Sequence, residues 1–135
     1  MIAVMSLSLL IASPPPMPPC DRDAAERGVQ QEMNICAEAD FRLAHSMLER
    51  QYLKTLEVMQ ERDTQMDRPD WDDRPGYFDT LVEAQRAWIA FRDAHCRSEG
   101  YAARGGSLEP LLVSTCKTHL TELRTAQLRE LAETY

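Results

Sequence analysis

The sequence predicts an all-α fold, an antiparallel bundle of about three helices stapled by two disulfides. Three observations carry this expectation. Long stretches repeat apolar residues every three or four positions, the spacing of one helix face. Two interruptions rich in proline, glycine and aspartate separate those stretches. Four cysteines, Cys20, Cys36, Cys96 and Cys116, all follow an apolar leader-like segment. Val/Ile/Thr alternation of the kind that builds sheets is scarce.

The first stretch, Ile2 to Ala12, is too short to span a bilayer and has the length of a secretory h-region. No Lys or Arg precedes it, and prolines crowd the region after it, so the leader pattern is imperfect. A start set downstream of a basic n-region would explain the missing positive charge. Residues 1–19 therefore read as a signal-like segment and a Pro-rich linker, and residues 20–135 as the helical domain. Cys20 is a poor lipoprotein site, because Met17, Pro18 and Pro19 precede it where a Leu-like and a small residue are wanted.

A first long helix is expected from a cap at Asp23 to about Gln65. Its buried stripe would be Met33, Cys36, Ala39, Leu43 and Met47, continuing one position displaced through Leu48, Tyr52, Leu56 and Met59. Met66 to Gly76 then holds two prolines and four aspartates and reads as an exposed acidic loop carrying Trp71. A second helix is expected from Phe78 to Ala103. Two faces compete for its buried side: Leu81, Ala84, Trp88, Phe91 and His95, or Gln85, Trp88, Arg92 and Cys96. Both contain Trp88, which is therefore expected in the core. Gly105 and Gly106 end that helix. Ser107 is expected to cap a third helix, with Pro110 in its first turn and a stripe of Leu112, Cys116, Leu120 and Leu123 running towards Leu131.

An even cysteine count in an exported chain points to disulfides. Three connectivities are possible, and the sequence alone does not choose among them. A helical hairpin would bring Cys96 near Cys116, leaving Cys20 for Cys36. The same residues deserve a metal test, since His95, Cys96, Cys116 and His119 are zinc-ligand types. Adjacent residues on a helix point about 100° apart, so His95 and Cys96 do not readily share one ion. No metal and no cofactor are expected.

The formal net charge is -7 and the pI is about 4.9. Phosphate recognition needs Lys and Arg, so nucleic acid is disfavoured, and anionic membrane surfaces with it. An acidic surface suits a basic partner, or simply solubility. No serine elbow, phosphate loop or His-x-x-x-His pair is present, and no catalytic residue is expected. Arg92 is the residue that strains a plain amphipathic reading. If it faces inward it needs a partner, for which Asp40 and Glu122 are candidates; Arg124 raises the same question with Asp93. The alternative is snorkelling of both heads to water.

The run Gln85-Arg86-Ala87-Trp88-Ile89-x-Phe91-Arg92-Asp93-Ala94-x-Cys96 resembles the signature of the LprI-type lysozyme-inhibitor family. Gly105-Gly106-Ser107, Cys116 and Thr121-x-x-Arg124-x-x-x-Leu128 continue the likeness in order. Upstream, Cys20, Gln31-Glu32-Met33-Asn34-x-Cys36 and Asp40-x-x-Leu43 agree as well. The resemblance implies an exported, helical, bacterial protein, periplasmic or secreted; with no catalytic constellation in the sequence, an enzyme is not expected. It also implies a mainly structural role for Gln85, Arg86, Trp88, Arg92, Asp93, Gly105, Gly106, Thr121 and Arg124. It implies Asn and Tyr where this chain has Ala44 and Met47. Two functions follow as expectations. One is a lysozyme-binding inhibitor whose contact is Asp70, Trp71, Asp72 and Asp73. The other is an envelope module that binds a different protein or a small ligand without inhibiting.

Overall fold

The computed structural model describes residues 16–134. The leader-like segment and the first two prolines of the linker lie outside them. The elements are α1 (Arg22–Glu26), α2 (Gln30–Gln65), α3 (Tyr77–Gly100), a 3-10 turn (Tyr101–Ala103) and α4 (Glu109–Glu133). No strand occurs among the described residues. The fold is therefore all-α, as expected.

The expected first helix is two helices. Asp21, not Asp23, caps α1, its carboxylate accepting from the Ala24 amide at 2.9 Å. Gly28 then takes φ +85°, and the Gly28 and Val29 amides donate back to Ala25 and Ala24. That is a glycine-terminated C-cap, which an L side chain resists. Cys20–Cys36 and a paired Arg22–Asp40 contact hold α1 against α2.

The 36 residues of α2 run about 54 Å at the α-helical rise. Contacts fix the direction of its neighbours. Asn34 of α2 donates to the Ser107 carbonyl just before α4, and Thr55 meets the Leu128 carbonyl near the end of α4. Thus α2 and α4 run parallel, with α3 antiparallel to both. The second bridge, Cys96–Cys116, staples α3 to α4. No cysteine among the four is free.

Two consecutive residues of α2 close one end of the bundle. The Asp63 carboxylate accepts from the Tyr77 and Phe78 amides at 2.7 and 2.9 Å, satisfying orphan donors at the start of α3. A Cβ on Gly76 would come within 2.6 Å of Asp63 Oδ1, so this cap needs glycine there. The Arg62 guanidinium donates to the carbonyls of Leu131, Ala132 and Thr134, where α4 ends. At the other end Gly100 sits so close to α4 that a Cβ would meet Val113 Cγ2 at 2.4 Å.

The hydrophobic core is small. Leu48, Met59, Leu81 and Leu128 are buried, with Tyr52, Leu56, Phe78 and Trp88 packed partly against them. Much of the remaining interior is polar or small: Ala37, Ala44 and Thr55 on α2, and Ser114, Thr121 and Thr125 on α4. The hydroxyls of Thr55 and Thr125 each lie 2.9 Å from the carbonyl four residues back, so their burial leaves no orphan.

This packing corrects the expected stripes. Leu43 and Met47 point outwards, 61% and 46% exposed, while Ala44 and Leu48 face inward. Contact with α4 runs across small residues, and that selects a neighbouring strip of α2. On α3 the face with Gln85, Arg92 and Cys96 is buried, whereas Ala84, Phe91 and His95 are exposed. Trp88 is half-buried, so Trp88→Ala falls short of the about 3–5 kcal/mol of a full Trp deletion. On α4 Leu123 is exposed, and Leu108 rather than Ser107 occupies the cap position with no side-chain bond. The Glu109 carboxylate instead accepts from the Gly105 amide at 2.7 Å.

Urea unfolding separates the two assignments. Leu128→Ala should cost about 2–5 kcal/mol, as for a buried leucine. Leu43→Ala should stay within about 0.5 kcal/mol, as for an ordinary surface change.

Candidate functional site

Two regions hold the residues singled out by sequence: the α3–α4 motif cluster and the loop between α2 and α3. In the first, Arg92 is buried at 4% exposure. Its Nε and Nη2 donate to Asp93 Oδ1 at 2.9 and 2.8 Å, and Nη1 approaches the Thr121 hydroxyl at 3.3 Å. The guanidinium also lies over Phe41 and Trp88, 5.1 and 5.2 Å from the ring centroids. The inward reading therefore holds, but the expected partners do not. Asp40 is engaged by Arg22, Glu122 is exposed, and the adjacent Asp93 neutralises Arg92.

Arg124 is half-buried and meets Gln85 Oε1 at 3.0 Å rather than Asp93. Burial lowers its pKa from the ordinary arginine value, with the Tyr52 hydroxyl opposing that shift. Trp88 lies within reach of both guanidiniums, the Arg124 head standing 5.9 Å from its ring. Thr121 is fully buried, Gly105 sits at φ +78° in the turn before α4, and Arg86 is exposed and outside the cluster. Sequence reasoning missed Phe41 and Lys117, which complete this cluster: Lys117 is 3.6 Å from Asp93 and over the Phe41 ring. Their spacing from Arg92 carries no local signal. The cluster packs helices against one another around one carboxylate, Asp93, which Arg92 and Lys117 share, while Arg124 meets only neutral amides.

The zinc-type residues do not assemble. His95 pairs with Glu99 at 3.0 Å beside Cys116, but the Cys116 sulfur is bonded to Cys96 and offers no thiolate. His119 is exposed and does not join them.

The loop is different in kind. Trp71 stands at its tip with 78% of its surface exposed, flanked by the exposed Asp70 and Asp73. A turn with the Asp72 amide donating to the Pro69 carbonyl at 3.0 Å sets that presentation. Asp72 departs from its neighbours. Arg74 holds its carboxylate from two sides, Nε to Oδ1 at 2.7 Å and Nη2 to Oδ2 at 2.8 Å. This pair lowers the Asp72 pKa to about 2. Asp70 and Asp73 thus remain for a partner, while the Asp72 charge is already answered.

The described residues form a disulfide-stapled helical bundle that presents an exposed aromatic loop. The chain belongs to the family described as lysozyme inhibitor LprI, whose model matches residues 20–128. An uncharacterised protein of Rhizobium meliloti (strain 1021) is 40% identical over 129 residues, covering 96% of this chain and 92% of that protein. The crystal structure of a DUF1311 family protein from Pseudomonas putida KT2440 shares the fold, with a TM-score of 0.65 at 23% identity over 78% of this chain and 95% of that one.

The Asp72–Arg74 pair makes a pH prediction. A carboxyl pKa depressed on folding adds stability above its unfolded value, and that stability is lost as pH falls towards about 2. A carboxyl-detected NMR titration should place Asp72 near pH 2, and Arg74→Gln should return it towards the usual aspartate value of about 3.9.

Proposed function

We propose that the protein is exported and inhibits a lysozyme-type enzyme by protein–protein contact, using the loop around Trp71. The observation that carries this reading is the exposed indole between two unpaired carboxylates, on a member of the LprI family. A large aromatic side chain held in water by a defined turn is the type of residue that anchors interfaces. The net charge of -7 favours encounter with a basic enzyme. Two disulfides fit an oxidising compartment outside the cytoplasm, periplasmic or secreted. No described helix is long and apolar enough to cross a membrane, and the Cys20 sulfur is committed to Cys36 instead of an acyl anchor. The loop blocks substrate access by occupying the enzyme's cleft; this chain performs no chemistry.

One observation favours the second reading, a non-inhibitory envelope module. Ala44 is buried, so its departure from the family pattern concerns packing alone. Met47 is 46% exposed, so a family Tyr at that place would lie on the surface. If that Tyr were part of the contact, this chain would have lost it.

A turbidity assay with oxidised full chain and several lysozyme types decides between them. Inhibition is expected to weaken with added salt, since screening acts over about 8 Å at physiological ionic strength. The Asp70→Asn/Asp73→Asn double variant should slow association, while Trp71→Ala should mainly speed dissociation and cost about 2 kcal/mol or more. Undiminished inhibition by both variants would move the contact off this loop. No inhibition by wild type at micromolar concentration would favour the envelope module.

A further inference from the structure

A second feature borders the loop and is lined in part by it, but not by Asp70, Trp71 or Asp73. The end of α2, the start of α3 and the end of α4 enclose an open groove of about 690 Å3, within the about 300–1,000 Å3 typical of small-molecule sites. Tyr77, Ala84 and Leu131 give it accessible apolar surface, over a floor formed by the buried Met59 and Leu81. Its charged lining runs against the rest of the molecule. Three arginines, Arg68, Arg74 and Arg124, face two carboxylates, Asp72 and Glu83, in a chain whose net charge is -7.

Arg124 is the decisive residue. Its Nε meets Gln85 and its Nη1 meets Gln127 at 3.4 Å, both neutral amides. Among the described residues its Nη2 finds no acceptor, and no carboxylate pairs with it. A half-buried guanidinium without a counter-charge is costly, and an arriving anion relieves it. Arg92, two turns from Gln85 on α3, shows the contrast, since Asp93 balances it within the chain.

We propose that this groove binds a single-chain amphiphile with a carboxylate head, such as a fatty acid. The hydrocarbon chain lies along Tyr77, Ala84 and Leu131, above the core residues Met59 and Leu81, and the head accepts hydrogen bonds from Arg124. A carboxylate oxygen suits the Nη2 donors that Gln85 and Gln127 leave over. An extended peptide fits less well, because helical walls have their backbone groups already paired and offer no edge to a strand. Trp71 does not line the groove, so the two surfaces can be tested separately.

The test is calorimetric titration of the oxidised full chain with decanoate below its micelle concentration, alongside decyltrimethylammonium as the charge-reversed probe. Saturable one-to-one decanoate binding is expected, with amide NMR shifts gathered at Met59, Tyr77, Leu81 and Leu131. Arg124→Gln should weaken it about tenfold or more, the worth of a charge-assisted hydrogen bond, and decyltrimethylammonium should bind weaker by a similar factor. Ala84 lines the groove from an exposed position on α3, so Ala84→Phe fills it without disturbing the core. That variant should keep its circular dichroism and its lysozyme behaviour, lose decanoate binding, and carry the test if Arg124→Gln fails to fold. Four results would each overturn the proposal: partition without saturation, equal binding of the two probes, undiminished binding by Ala84→Phe, or a wild-type dimer that Ala84→Phe dissociates. The last would place a second copy of the chain in the groove.

Discussion

A carboxylate and a guanidinium on consecutive residues of α2 determine how this bundle closes. Asp63 takes the first amides of α3, and Arg62 takes the last carbonyls of α4. Each helix end carries unsatisfied groups of one polarity, and each side chain carries the opposite charge. Because the two residues are neighbours, the start of α3 and the end of α4 are brought to one level of α2. The loop of residues 66–76 then has no freedom over where it begins or ends. The presentation of Trp71 and the groove at this end of the bundle are consequences of that closure.

The interior that this closure protects is unusually polar for a bundle. Four large apolar residues form the buried cluster, while threonines, a glutamine and an arginine fill much of the rest. Small buried side chains give close contact but little apolar area, so each contributes less than a leucine would. The two disulfides offset that deficit, each by roughly 2–4 kcal/mol, chiefly through the unfolded chain. Arg92 belongs to the same economy of charges. It is buried, yet its salt partner is the next residue and its faces are covered by Phe41 and Trp88. Register between α3 and its neighbours is held by charge and ring contacts as much as by apolar fit.

The helical class, the number of long helices, the acidic loop and the family were all legible in the sequence, because periodicity and glycine or proline breaks are local signals. The exposure of Trp71 and the involvement of all four cysteines were legible for the same reason. Which strip of α2 faces inward was not. Leu43 and Met47 outrank Ala44 on hydrophobicity, but α4 approaches across small residues, and that preference exists only in the packed pair. The break at Gly28 was passed over, because a lone glycine inside a helical pattern is tolerated; its positive φ is what ends one helix before another begins. The partner of Arg92 was misassigned because candidates were sought across the bundle and Asp93 is adjacent in sequence; that of Arg124 because a carboxylate was sought and the neutral Gln85 is there. The caps at Asp63 and Arg62 bridge 14 to 72 positions, and no window of sequence holds them.

The parallel pairing of α2 with α4 has a kinetic consequence. The main seam of the bundle joins positions such as Thr55 and Leu128, which are 73 residues apart. Most small helical proteins fold quickly because their contacts are between sequence neighbours, and this chain forgoes that advantage along its longest seam. The α3–α4 hairpin is the local piece, and its bridge closes a separation of 20 residues. Once oxidised, that bridge short-circuits the path from α2 to the end of α4 and lowers the loop-closure entropy of the final docking step. The order in which thiols oxidise therefore governs how far the chain must search before its principal contact forms.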